Sequence, residues 1–451
     1  MSETIKIKSG VDIKLQGKAE QIYANAELPE TFALKPTDFK GVKIKLSVRE
    51  GDEVKAGTPL LFNREQEAVK FCAPVSGEVV EIVRGEKRKL LEVRILADKE
   101  TKYHDFGTAN PESLSGDDVK KRLLESGCWP FIKQRPYNIV ANPERTPKHI
   151  YISCFDSAPL ACENDFTVHG FEKEFQTGVN ALAKLTEGKV HLGLDGSTKP
   201  SKVFTDCQGV VKQNFKGAHP AGNVGVQIHH TNPINKGEVF WTLNPQDVII
   251  IGRLFLTGKF DASINVAMGG SQVTKPRYYK TIIGGSVKNM VASNTQDGTN
   301  RYIAGNVLTG DRIKADGYLG FYDRELMVLP EGIEPEFFGW LNPGISKFSI
   351  SRTLMSWMTA NKAKTLNTSL NGEGRAFVVT GEYEKVFPFD IFPVQLLKSI
   401  LIKDIEAMEN LGIYELVEED MALCEVVCTS KTEVQKILRD GLDLMYSELG
   451  D

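Results

Sequence analysis

Between Gly41 and Ile95 the chain is cut into short β-rich runs by Gly51-Asp52, Gly57, Pro74 and Gly77. That spacing is the turn punctuation of a small barrel-like sandwich. At 451 residues the chain is too long for one core, so this module is expected to be one of about three or four domains. With 41% hydrophobic and 25% charged residues the composition is that of a globular protein. A formal net charge of −4 leaves no electrostatic footprint for nucleic acid.

The Gly41–Ile95 module resembles the biotinyl/lipoyl family, in which a lysine at a hairpin tip carries the cofactor. Counting back from Ala73-Pro74 puts that tip near Gln66, which has no amine to acylate. Lys70, the nearest amine, is out of register. The module therefore reads as a docking piece. A biotin- or lipoyl-dependent carrier is the alternative, and intact mass would reveal it.

Seven scattered cysteines, Cys72, Cys128, Cys154, Cys162, Cys207, Cys424 and Cys428, argue for reduced thiols in a cytosolic setting. The opening MSETIKIKSG has no apolar stretch, so no secretory signal is expected. Nowhere do eighteen apolar residues run together; the longest candidates, such as Val248–Ile251, are of strand length. A chain of this kind can sit on a membrane complex without spanning the bilayer.

Along the chain, Ile5-Lys6-Ile7 reads as an opening strand within an arm that reaches about Asp38. After the barrel-like module, a connector from Tyr103 to Pro147 carries one short helix, with Asp117-Asp118 at its start, Leu123 and Leu124 on its buried face and Gly127 at its end. His149–Cys154, a helix within Gly170–Gly188, and Lys189–Leu194 form a strand–helix–strand unit, and Asp247–Ile251 reads as a later strand. Continuous apolar strands separated by a helix predict a parallel sheet covered on both faces. From Leu254 to Leu329, glycine-punctuated short runs predict a β-rich module with one short helix near Tyr279–Ile282. The last third turns helical. Gln395–Asn410 carries Leu397, Leu401, Ile405 and Met408 on one face and stops at Gly412. Ser430 and Glu433 are spaced as a capping box for a final helix faced by Val434, Ile437, Leu438, Leu442 and Met445.

Chemistry-bearing motifs are sparse. After HIYISC comes Phe155-Asp156-Ser157-Ala158-Pro159, with no glycine fingerprint to bring backbone N–H groups to a pyrophosphate. No resident NAD or flavin is expected. Gly217–Pro233 holds His219, His229 and His230; the spacing is not that of a zinc site, so the stretch reads either as a functional loop or as plain structure. Cys424 and Cys428 are too few for an iron–sulfur cluster and read as buried hydrophobes. Trp129-Pro130-Phe131 with Lys133 and Arg135 is a compact aromatic and basic patch. It suits either a flat apolar headgroup or an anchored turn.

Several stretches resemble one family. They are Ile5–Ile13, Ala218–Gly225 continuing to Ile228-His229, Ile303–Gly310, Phe338-Gly-Trp-Leu-Asn-Pro-Gly, Phe389-Asp-Ile-Phe-Pro, and Leu423-Cys-Glu-Val-Val-Cys-Thr-Ser-Lys. In this order they are similar to the A subunit of the sodium-translocating NADH:quinone oxidoreductase. That family is in turn similar to the flavin- and NADH-binding subunit of respiratory complex I and to the C subunit of the Rnf complex. Where those relatives keep a glycine-rich flavin loop, this chain has Glu125-Ser-Gly-Cys-Trp-Pro-Phe with Gly127 alone.

The resemblance implies a multidomain α/β architecture. Its parts would be an arm at 1–38, a biotinyl/lipoyl-like barrel at 39–98, a Rossmann-like parallel-sheet domain at 99–253, a β-grasp (soluble-ligand-binding) module at 254–330 and a C-terminal helical domain at 331–451. It implies a peripheral subunit on the cytoplasmic face of a bacterial inner membrane, in a pump that oxidises NADH, reduces ubiquinone and exports sodium. The flavins and iron–sulfur centres would lie in partner subunits, and a membrane subunit would be a partner. No catalytic or metal-binding residue is expected here. Trp129, Phe131, Lys133 and Arg135 are the candidate quinone site, with the loop of His219, His229 and His230 as the alternative. A scaffold that braces the membrane subunits without binding quinone is the competing function.

Overall fold

In the computed structural model, residues 4–332, 338–339, 341–351 and 353–450 are described. The first three residues of the arm, and Trp340 in one of the stretches that carried the resemblance, lie outside them. The N-terminal arm covers two sheet edges. Thr4–Lys6 pairs parallel with Val210–Lys216, and Glu20–Tyr23 pairs parallel with Arg277–Ile282. Each edge strand satisfies a row of backbone groups that would otherwise lie open.

The barrel-like module consists of a four-stranded and a three-stranded sheet. Leu60, Leu61, Phe71, Val79, Val93 and Ile95 are buried in one core. Gly77, at φ 151, is required: a Cβ there would lie 1.9 Å from the Leu96 carbonyl oxygen. Gln66 lies in the turn between strands Pro59–Asn63 and Lys70–Cys72, and its amide donates to Asn142 Oδ1 at 2.7 Å.

A seven-stranded sheet forms the centre. His149–Ser153 is flanked by Val190–Asp195 on one side and Phe240–Leu243 on the other, all parallel. Val210–Lys216 and then Thr4–Lys6 extend the first side. Lys133–Arg135 and Ile139–Val140 add two antiparallel strands beyond Phe240–Leu243, a contribution from the connector that the sequence reading lacked. The helix Gly116–Ser126 ends at Gly127 in the left-handed conformation, φ 78, as its pattern predicts.

Asp247–Ile251 is not a strand. It belongs to the helix Pro245–Thr257. Asn244 caps it by accepting from Gln246 N–H, Asp247 reaches back to Asn244 N–H, and Pro245 takes the first helical position. The helix is apolar nearly all round because it is sandwiched, and a short apolar run has no periodicity to separate helix from strand. It lies against Glu172–Ala183 through two glycines. A Cβ on Gly178 would meet Val248 O at 2.1 Å, and one on Gly252 would meet Glu174 O at 1.8 Å.

The β-rich region forms a six-stranded sheet with the arm. Tyr279–Ile282 lies in the strand Arg277–Ile282, not in a helix; the short helix of this region is Lys288–Val291. In the last third, among the described residues, two 3-10 turns at Met355–Thr359 and Tyr383–Lys385 come first, and the α-helices begin at Pro393. Gln395–Asn410 is broken into Pro393–Leu401 and Ile405–Asn410, with Lys403 at φ 58 and Asp404 capping the second piece. The break turns Leu401 outward, 55% exposed. The expected capping box does not form: Ser430 Oγ donates to Ala376 O, and Val434–Leu449 starts without a side-chain cap. That helix buries Val434, Leu438, Leu442 and Met445. All seven cysteines are free and buried. Cys428 stands just past the helix Ala422–Val427, where its sulfur accepts from Tyr383 O–H at 3.0 Å.

Candidate functional site

Sheet order fixes where a ligand can enter. From His149–Ser153 the chain crosses to Val190–Asp195 on one side, and later to Phe240–Leu243 on the other. The two crossovers diverge at that point, and the crevice beyond the carboxyl ends of such strands is where open α/β sheets bind ligands. A cavity of about 540 Å³ lies there. Ser153, Phe155 and Asp156 line it after one strand, and Leu243, Asn244 and Asp247 after the other. Its volume is in the range of small-molecule sites, roughly 300–1,000 Å³.

The antiparallel strand Lys133–Arg135 supplies a side wall. Alternation puts Lys133 and Arg135 on one face and Gln134 on the other, and both cations line the cavity with Phe131 from the preceding turn. Phe131 stacks on Phe321 with ring centroids 4.6 Å apart. Lys133 Nζ sits 3.8 Å from the centroid of the Tyr322 ring, which also lines the cavity. Burial lowers the Lys133 pKa, and Glu419 opposes that shift. Arg135 is held by the C-terminal region, with Nη1 3.0 Å from Asp420 Oδ2 and Nη2 2.8 Å from Glu419 Oε1. Gly225 is required beside this pair, because a Cβ would lie 2.4 Å from Arg135 Nη1.

Two carboxylates stand at the strand ends. Burial raises the Asp156 pKa although Ala158 N–H donates to it. Asp247 is raised by burial against the pull of Arg324, its ion-pair partner. Carboxylates in this crevice oppose the binding of a phosphate anion. At the rim, burial alone would raise Glu418, but Lys40 and Arg439 outweigh it and hold the carboxyl down to about 2.

His219 joins the same cavity from the Gly217–Pro233 stretch. Ser157 Oγ accepts from Gly222 N–H and stands 3.0 Å from His219 Nδ1. Its own hydroxyl proton is thus free to go to Nδ1. Assigned from this network, the neutral ring carries its proton on Nε2. That buried Nε2 has no hydrogen-bond partner among the described residues. Burial pushes the His219 pKa down to about 4, so the ring is neutral near pH 7.

The two candidate groups are thus partly one site. Phe131, Lys133, Arg135 and His219 line one cavity, while Trp129, His229 and His230 are not among its lining residues. Trp129 is fully buried, and its indole donates to Ala141 O at 2.7 Å. His229 accepts from Asp390 N–H at Nε2 and lies 2.7 Å from Glu415 at Nδ1, tying the α/β region to the C-terminal helices. His230 Nδ1 is 2.9 Å from Val226 O, within its own turn. Tyr322, Asp156, Asn244 and Glu419 were missed. Of these, only Asn244 carried a local signal, as a helix cap. Among the described residues no group of His, Cys, Asp and Glu is placed to hold a metal ion, and no helix is long and apolar enough to cross a membrane.

Comparison with known proteins matches three successive parts of the chain. The NqrA N-terminal barrel-sandwich hybrid domain matches residues 5–98, the NqrA second alpha/beta domain matches 114–260, and the NQRA C-terminal domain matches 265–315. The A subunit of the Na(+)-translocating NADH-quinone reductase from Neisseria meningitidis serogroup A is 36% identical over 448 residues, covering 98% of this chain and 100% of that one. The corresponding protein of Pasteurella multocida, which carries the same description, is 37% identical with the same coverage. Among solved structures, the NAD+-reducing NiFe hydrogenase in its air-oxidized state covers 74% of this chain and 62% of its own at 11% identity and a TM-score of 0.38, too slight a likeness to assign a site. With relatives matched along their whole length and domain matches in order, the chain belongs to the NqrA family, the A subunits of the Na(+)-translocating NADH-quinone reductases.

Proposed function

We propose that this chain is a peripheral subunit on the cytoplasmic face of a bacterial inner membrane, acting at the quinone-reducing step of a sodium-pumping complex. That complex oxidises NADH and reduces ubiquinone. Its flavins and iron–sulfur centres lie in partner subunits, of which at least one is a membrane protein. Sodium crosses elsewhere in the complex. The cavity at the strand ends receives the quinone headgroup. Phe131, Phe155 and Tyr322 supply flat apolar walls, and Lys133 and His219 Nε2 supply donors for the two carbonyls. Arg135 is committed to Asp420 and Glu419 and shapes the wall. Electrons come from the partner subunits. Reduction by two electrons takes up two protons, one on each quinone oxygen; Lys133, whose pKa burial lowers, is suited to give one of them, and the second comes from solvent.

The observation that carries this reading is the convergence of an aromatic and basic patch and a histidine loop on one crevice at the point where the crossovers diverge. In the same lineage we assign the finer fold labels: biotinyl/lipoyl-like for 39–98, Rossmann-like for 99–253, β-grasp for 254–330 and a C-terminal domain, helical in its later part, for 331–451.

The test is titration of a short-chain ubiquinone analogue against the full chain and its Lys133→Met variant. Losing a charged donor to a carbonyl weakens binding about tenfold or more, at roughly 1.5–3 kcal/mol per such bond, with the melting temperature unchanged. In the assembled complex the variant raises the quinone KM. Unchanged binding and KM in a well-folded variant would favour the scaffold function instead.

A further inference from the structure

The helix Pro245–Thr257 borders two cavities. Asp247 lines the one at the strand ends. Gln246, Ile249 and Arg253, spaced three and four residues apart, share another face of the helix and line a second cavity of about 280 Å³. The two cavities share no lining residue. The facing wall is the antiparallel pair Ser263–Gly269 and Arg277–Ile282. There Asn265 stands across from Lys280 and Ser263 across from Ile282, all four on one face of the sheet. Hydrogen bonds fix this frame. Gln246 donates to Asn265 O at 2.9 Å and accepts from Asn265 N–H at 2.8 Å, and the Asn265 amide donates to Thr167 O at 2.9 Å.

Positive charge is left over inside the frame. Arg253 and Lys280 line the cavity, and among the described residues no carboxylate does. The Arg253 side chain is only 14% exposed. Its Nη1 donates to Ser263 O at 2.9 Å, which leaves the edge formed by Nε and Nη2 without a hydrogen bond among the described residues. Asp261, 3.7 Å from Nη1, is itself held by the Ser263 N–H and O–H. Phe171 packs on the guanidinium, with Cζ 4.8 Å from the ring centroid. Lys280 has no carboxylate partner among the described residues; its Nζ lies 4.8 Å from the centroid of Tyr23. We propose that this cavity binds a small organic acid. The carboxylate lies along the free edge of Arg253, whose planar donors match two coplanar oxygens. Lys280 adds to a field of one sign that draws an anion in. The body of the acid covers Leu28, Ile249 and Ile282. It is short, because the volume falls just under the roughly 300–1,000 Å³ of drug-sized sites.

The test is calorimetric titration of the full chain with hexanoate, acetate, inorganic phosphate and hexanol. Hexanoate binds at one saturable site. It binds more tightly than acetate or phosphate, which lack the apolar body, and than hexanol, which lacks the charge. Arg253→Met weakens hexanoate binding about tenfold or more, as the loss of a charge-assisted pair does. Lys280→Gln, at an exposed position, weakens it roughly two- to fivefold and leaves the melting temperature unchanged. Absence of saturable hexanoate binding overturns the proposal. So does equal binding by a folded Arg253→Met variant or, where that variant does not fold, by Lys280→Gln. Hexanol binding as tightly as hexanoate would mark a plain apolar void, and acetate or phosphate doing so would mark an adventitious ion only; each overturns the proposal. Competitive displacement of hexanoate by a short-chain ubiquinone would put the quinone in this cavity and overturn it as well.

Discussion

Arg135 sits between Asp420 and Glu419 with 3% of its side chain exposed, and the Asp420 side chain is fully buried. Removing the guanidinium leaves a carboxylate in the interior without its countercharge. Arg135→Ala is therefore expected to cost about 3–5 kcal/mol in denaturant unfolding; a loss under about 1 kcal/mol would mean the pair is solvated. Glu325 gives a pH signature of its own. Burial and the neighbouring Asp156 push its pKa up to about 8. A folded pKa above the unfolded one means stability that is complete below about pH 4.5 and lost as pH rises through 8. Glu325→Gln should match the unaltered chain in Tm near about pH 5 and exceed it near about pH 9. Equal pH profiles would place the proton elsewhere. At this scale the pattern grouped Phe131, Lys133 and Arg135, and the structure brings the three to one cavity wall because alternation along the strand puts both cations on one face. Trp129 misled because its indole N–H is already used by Ala141 O, a contact that no local pattern announces.

Among the helices, burial decides the cost of each leucine. Leu397 and Leu438 are fully buried, whereas Leu401 is not. Leu397→Ala and Leu438→Ala should each cost about 2–5 kcal/mol. Leu401→Ala, which an unbroken helix would have buried, should stay within about 0.5 kcal/mol. Thermal unfolding of the three variants orders them, and a large loss at Leu401 would contradict the break at Ile402–Asp404. Gly252→Ala should separate the helices Glu172–Ala183 and Pro245–Thr257, because its Cβ would fall 1.8 Å from Glu174 O; a fully stable variant would contradict that contact. The helix Gly116–Ser126 and the strand His149–Ser153 were legible from period and end signals. Asp247–Ile251 was misread because its run is uniformly apolar, although Asn244, Pro245 and Asp247 mark a helix start.

At the scale of the whole molecule, the cleft is assembled from distant parts of the chain. Lys40 follows the arm, Phe131 to Arg135 come from the connector, Phe155 and Asn244 follow parallel strands, Tyr322 precedes the last strand of the β-rich region, and Glu418 and Glu419 precede the last helices. Sequence patterns report local period and turn chemistry, so element types were largely readable, but the meeting of these segments was not. The ions at the rim make that assembly acid-sensitive. Glu418, held down to about 2 by Lys40 and Arg439 against the effect of burial, contributes stability above about pH 4.5 that is lost as pH falls toward 2. Lys40→Met should flatten the acid limb of the unfolding profile, and an unchanged limb would remove this contact from the account. The most direct measurement is photolabelling of the full chain with a photoreactive short-chain ubiquinone analogue, followed by peptide mapping. Label in peptides holding Phe131–Arg135, Ser153–Ala158 or Thr242–Asp247, suppressed by excess ubiquinone, is the predicted result. Label confined to other peptides, or insensitive to competition, would contradict the quinone site.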